Sequence, residues 1–156
     1  MIAPLCDFCS DELTEFGAIL LSPPDPQGLV RKFHVCVTCY GIAMSLRKQQ
    51  IRTAFFEASC KATGYRCIGC NVIHNKTTAK DTLDVHHITP REEFENGGYV
   101  KENGAPLCKL GDRSCHMKAE EWLKNGTGQP GFSPEELYAK IGSSRDKAME
   151  ADKRLK

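Results

Sequence analysis

Six of the nine cysteines in this 156-residue chain fall in three Cys-x2-Cys pairs, at Cys6/Cys9, Cys36/Cys39 and Cys67/Cys70. Two thiolates on one tight turn supply half of a tetrahedral zinc shell, so pairs at this spacing constrain the fold more than any other feature. The first two pairs, about a hairpin's length apart, close one four-cysteine set. Cys67 and Cys70 are completed by Cys108 and Cys115, which leaves only Cys60, a small apolar residue expected to be buried. Modules this small bury too little apolar surface to be stable without a staple. No secretory leader opens the sequence, and Pro, Gly and charge interrupt every apolar run before it reaches membrane-spanning length. We therefore expect a cytoplasmic protein with no membrane partner, its cysteines holding two structural Zn²⁺ ions rather than forming disulfides.

The formal net charge of +1 conceals a segregation. Residues 1–30 carry five acids and no Lys or Arg, whereas residues 31–80 carry nine bases against Glu57 alone. A local excess of positive charge suits a phosphate backbone, and a solvated helix face is the other reading.

Strands are expected through Phe16–Leu21 and Phe33–Val37, on either side of a Pro-rich turn, with His34 a strand residue rather than a ligand. From Tyr40 to Ala62 nothing breaks a helix except Gly41 at its start. Ile42, Ala43, Leu46, Gln50, Ala54, Phe55 and Ala58 approximate its inward face, with Arg47, Lys48 and Arg52 towards another. A second module has a strand over Thr82–Ile88, a loop containing Gly97-Gly98, a return segment Ala105–Cys108 and a helix from Cys115 to Leu123. Asn125–Gly131 reads as a flexible linker. Ser133-Pro134-Glu135-Glu136 is a capping box opening a helix to Ile141, and the charged segment after Gly142 reads as a solvated helix or a frayed tail. The divisions are a zinc module over 1–40, a basic linking helix over 41–64, a second zinc module over 65–125 and a helical extension over 126–156.

That second module carries, in order, Cys67-x2-Cys70, Asp84-Val85-His86-His87-Ile88-Thr89-Pro90, Gly97-Gly98, Asn103-Gly104-Ala105-Pro106-Leu107-Cys108 and Cys115-His116. Over about residues 66–123 it resembles the HNH endonucleases, the ββα-metal nucleases, and the added four-cysteine module looks like some small restriction-type or phage-type members. The resemblance implies an α+β, treble-clef-like catalytic module that hydrolyses double-stranded DNA, with Mg²⁺ or Mn²⁺ bound. It assigns His86 and His116 to the metal, His87 to the general base that activates water, and Asn103 to bracing the hairpin. One such site cuts one strand at a time, so cutting double-stranded DNA through calls for a homodimer.

The chemistry of phosphodiester hydrolysis agrees with those residue types. A neutral imidazole, with a reference pKa of about 6.5, accepts a proton near neutrality, and a divalent ion stabilises a developing alkoxide. Adjacent residues of a regular strand point to opposite faces, so His86 and His87 share one phosphate only if the strand bends or ends there. Asp84 shares a strand face with His86 and is expected to orient it. Many relatives carry a histidine where this chain has Glu120, which reads either as a weak oxygen ligand for Mg²⁺ or Mn²⁺ or, more readily, as an ordinary exposed glutamate outside the core site. Arg91 reads equally as a phosphate clamp or a surface arginine, His74 and Lys76 as solvated loop, and Trp122 as core. Two other functions are weighed: a non-catalytic zinc-bound nucleic-acid module, which has no need of His87, and a protein-interaction module, supported only by the acidic first 30 residues.

Overall fold

The structure, a computed structural model, describes residues 7, 18–21, 29–111 and 114–155. It is mixed α+β and divides into two compact units, Met1–Gln50 and Ile51–Lys156, with the boundary inside the expected linking helix. Cys6 and Cys9 lie outside the described residues.

In the first unit β1 (Ala18–Leu21) pairs antiparallel with β2 (Lys32–Val35), in the register Ala18 to Val35 and Leu21 to Lys32. His34 is an exposed strand residue whose N–H donates to the Asp7 carboxylate at 2.6 Å. Helix α1 (Val37–Ala62) starts earlier than expected and takes in Cys39, whose N–H donates to Cys36 Sγ at 3.4 Å. The expected inward face is corrected too. Phe55 and Cys60 are buried as expected, but Ile42, Leu46, Ala54 and Ala58 are exposed and Ser59 is buried, so the face in use is shifted around the helix. Alanines fit either face of a helix, and they give sequence periodicity little power to fix its rotation.

The second unit begins with the end of that helix, which stops as Gly64 and Tyr65 both turn left-handed (φ +62° and +57°). A tight knuckle follows. Cys67 N–H donates to Val72 O and Asn71 N–H to Cys67 O, each at 2.8 Å, with Asn71 also at positive φ. The short α2 (Ala79–Thr82) runs straight into β3 (Leu83–His87), which pairs antiparallel with β4 (Gly104–Cys108) so that Leu83 faces Cys108 and His87 faces Gly104. Helix α3 (Cys115–Asn125) packs on this hairpin, capped by Ser114 and ended by Gly126 at φ +69°. The core between them is built from Phe55, Ile68, Leu83, Ile88, Leu107 and Ala119, with Cys60 fully buried among them.

Helix α4 (Pro134–Lys140) has both halves of the expected capping box. The last segment differs from either expectation. Residues Arg145–Lys153 form α5, which packs against the turn at Lys101–Asn103 and buries Ala148 and Asp152, four residues apart on one face. An alanine and an aspartate carry almost no hydrophobic signal, so the docking face is invisible to pattern. The turn before α4 is held as well, since Trp122 Nε1 donates to Gln129 O at 2.9 Å with the indole packed against the core. No helix among the described residues is long and apolar enough to cross a membrane.

Candidate metal centres

Cys67, Cys70, Cys108 and Cys115 come together with their sulfurs within 4.8 Å of one another, a set that could hold a metal ion. The knuckle delivers the first two and is tied to the hairpin by Ile68 N–H to Pro106 O at 3.0 Å, while Cys108 N–H donates to Cys67 Sγ at 3.2 Å. The chain then turns through Gly111, at φ +90°, and returns at the start of α3 with Cys115. Gly69 is required for the approach: a Cβ there would stand 2.8 Å from both Cβ and Sγ of Cys115 and from the Phe132 ring. Burial, then the neighbouring Cys108 and Cys67, push the Cys115 thiol far up. A tetrahedral zinc sharing the site would take the four sulfurs as its ligands. Of the other expected zinc set, Cys36 and Cys39 are half-buried, and Cys6 and Cys9 lie outside the described residues.

The second group joins the hairpin to α3. His86, His116 and Glu120 each offer a donor atom within 4.8 Å of the others. His86 Nδ1 lies 3.1 Å from Glu120 Oε1, and His116 Nε2 lies 3.9 Å from the same oxygen. His116 and Glu120 share a helix face because they are four residues apart. Glu120 therefore lies half-buried beside the two histidines, where its oxygen could join them as a ligand. The expectation for Asp84 is corrected: its carboxylate lies 3.8 Å from His116 Nε2, and the acceptor beside His86 is Glu120. Burial pushes His86 down to about 4 against the pull of the Glu120 carboxylate, so its ring is neutral and keeps a lone pair for a metal. Two imidazoles and a carboxylate form a mixed nitrogen–oxygen donor set that suits a divalent ion.

His87 has different neighbours. Its ring lies against Phe55, centroids 4.5 Å apart, and meets the Tyr99 ring edge-on at 5.0 Å. The strand's alternation explains the split, with Asp84 and His86 towards α3 and His87 towards α1. Burial, then the charges of Arg91 and His86, push His87 down to about 4. Its Nε2 is buried and has no hydrogen-bond partner among the described residues. Beyond it, Asn103 ties down the loop: its Oδ1 accepts from Thr89 N–H at 2.9 Å, and its Nδ2 donates to Thr89 O at 3.1 Å and Gly98 O at 3.3 Å.

Two residues that the sequence left unmarked complete this brace. The Tyr138 hydroxyl donates to Asn103 Oδ1 at 2.9 Å and lies 2.8 Å from Thr89 Oγ1. Buried Asp152 accepts from Asn96 N–H and Gly98 N–H, both at 2.8 Å. No local motif marks either, since each acts on a loop more than thirty positions away. His74 is half-buried, with Nδ1 2.9 Å from Thr82 Oγ1, rather than in a solvated loop.

Fold and site thus define a small α+β protein with a four-cysteine cluster and a His/Glu group, each able to hold a metal ion. No protein-family model matches the chain, and neither a curated protein nor a solved structure does.

Proposed function

We propose that the chain is a metal-dependent DNA endonuclease of the HNH type that hydrolyses phosphodiester bonds. The convergence of His86, His116 and Glu120 to within 4.8 Å, with His87 next along the same strand, carries this reading. A divalent ion such as Mg²⁺ or Mn²⁺, when bound there, supplies positive charge for the scissile phosphate and the departing oxygen. His86, His116 and Glu120 would hold it. His87 is the residue assigned to take the proton of the attacking water, and its ring is in the base form throughout the neutral range. Asn103 holds the loop that follows His87, and a zinc ion in the four-cysteine cluster would fix the knuckle against β4.

A second reading, a non-catalytic zinc-bound nucleic-acid module, draws on one observation: His87 Nε2 is buried against aromatic rings instead of open to a substrate. Incubating supercoiled plasmid with the protein, with and without added Mg²⁺ or Mn²⁺, separates the two. Nicked or linear product that requires the ion supports the endonuclease, whereas duplex binding without cleavage at any ion concentration selects the binding module. Within the endonuclease reading, His86→Ala should weaken divalent binding. His87→Ala should keep it and still lose cleavage about a hundredfold or more.

A further inference from the structure

Arg52 on α1 and Arg91 just after β3 are brought to one side chain, Tyr99. Arg91 Nη1 donates to the Tyr99 hydroxyl at 2.9 Å; Phe55 of α1 meets the Tyr99 ring edge-on at 5.7 Å, and Arg52, three residues before Phe55 on the same helix, lies near enough to favour the phenolate together with Arg91. Both arginines are exposed, and neither has a carboxylate within ion-pair distance among the described residues. Two like charges converging on a neutral hydroxyl repel one another, and a guanidinium has five N–H donors of which this contact uses few. An anion between them would relieve the repulsion and take up the free donors. The Tyr99 ring that anchors the pair meets the His87 ring at 5.0 Å, so such an anion would sit beside the candidate base.

We propose that Arg52 and Arg91, anchored on Tyr99, clamp a backbone phosphodiester of nucleic acid and set the strand against His87. The inference rests on the endonuclease reading and adds the residues that hold its substrate. Guanidinium forks match phosphate oxygens in pairs, which favours phosphate chemistry over a lone halide or a diffuse surface charge. Exposure favours a polyanion over a free phosphate ion: solvent and salt screen a single small anion, whereas a duplex gains from releasing its condensed counter-ions.

The test is fluorescence anisotropy of a labelled duplex titrated with the full chain across a salt series, with no divalent ion added. The variants are Arg52→Gln/Arg91→Gln and a charge-matched control, Lys76→Gln/Lys153→Gln, with folding and zinc content checked in each. The arginine pair should lower the magnitude of the log Kd against log salt slope by about two, near 0.9 per lost phosphate contact. It should also weaken low-salt binding about tenfold or more, beyond the control. Tyr99→Phe, which removes the anchor and no charge, should weaken binding by less. An arginine-pair slope and affinity equal to those of wild type or of the control would overturn the clamp while leaving wild-type cleavage and binding, and so the endonuclease reading, standing. Wild-type protein that is folded and zinc-loaded yet binds no duplex would overturn both. Displacement of the duplex by inorganic phosphate at matched ionic strength would mark a small-anion site and overturn the assignment to backbone phosphodiester.

Discussion

The carboxylate of Asp152, on the last helix, accepts the backbone N–H of Gly98 at 2.8 Å across 54 positions of sequence. With its other oxygen on Asn96 N–H, it holds the Gly-Gly loop from the side opposite Asn103, which bonds Gly98 O. Removing the carboxylate strands donors that folding has taken out of water. Asp152→Ala should therefore cost about 2–6 kcal/mol, from about 1–3 kcal/mol for each of the two orphaned donors. Urea unfolding followed by circular dichroism measures it, and a loss below about 0.5 kcal/mol, the usual range for surface changes, would show that α5 does not brace the loop.

Glu120 decides whether the His/Glu group binds metal as a unit. Glu120→Gln keeps the shape and removes the charge, and it should weaken Mn²⁺ binding about tenfold or more, as should His116→Ala, while the zinc content stays unchanged. Isothermal titration with Mn²⁺ reads both. Equal affinity in wild type and Glu120→Gln would return Glu120 to an ordinary surface role.

Gly69→Ala probes the four-cysteine cluster without touching a sulfur. The added methyl meets Cys115 and Phe132 at 2.8 Å, inside ordinary contact, so the knuckle must shift away from α3. Elemental analysis should find that this variant has lost one zinc equivalent relative to wild type, or retains it only with a marked fall in melting temperature. Full zinc with an unaltered melting temperature would disprove the close approach.

Cys60 is the one cysteine outside both expected zinc sets. Burial, then the Asp84 charge, push its thiol from 9.0 up to about 11. Between those values the folded chain keeps a proton that the unfolded chain releases, so this thiol makes stability fall as pH rises from about 9 towards 11. Cys60→Ala should flatten that decline in unfolding measurements. In the native protein at pH 8, iodoacetamide should leave Cys60 unmodified by peptide mass mapping, while unfolded protein is labelled. Rapid native labelling would place the thiol in solvent.

Much of the local structure was legible because its causes are short-range. The Cys67-x2-Cys70 turn and the capping box at Ser133 and Glu136 each depend on a few adjacent residues. The hairpin's strands were legible too, to within a residue or two at their ends. The face that α1 buries was not, because alanines on both sides left its rotation open until Phe55, Ser59 and Cys60 met the second unit's core.

For the site, the sequence alone determined which residue types were at hand: a second set of four cysteines, an adjacent histidine pair, and a histidine following the last cysteine. It also fixed that His86 and His87 would diverge if the strand stayed regular to its end, which it does. Only the tertiary structure decided that Glu120 stands 3.1 Å from His86, that Tyr138 and Asp152 hold the loop beyond His87, and that Tyr99 lies between Arg91 and the helix that carries Arg52. Each of these is a contact between elements distant in sequence. Its existence depends on strand register and helix packing, which no local pattern of residues specifies.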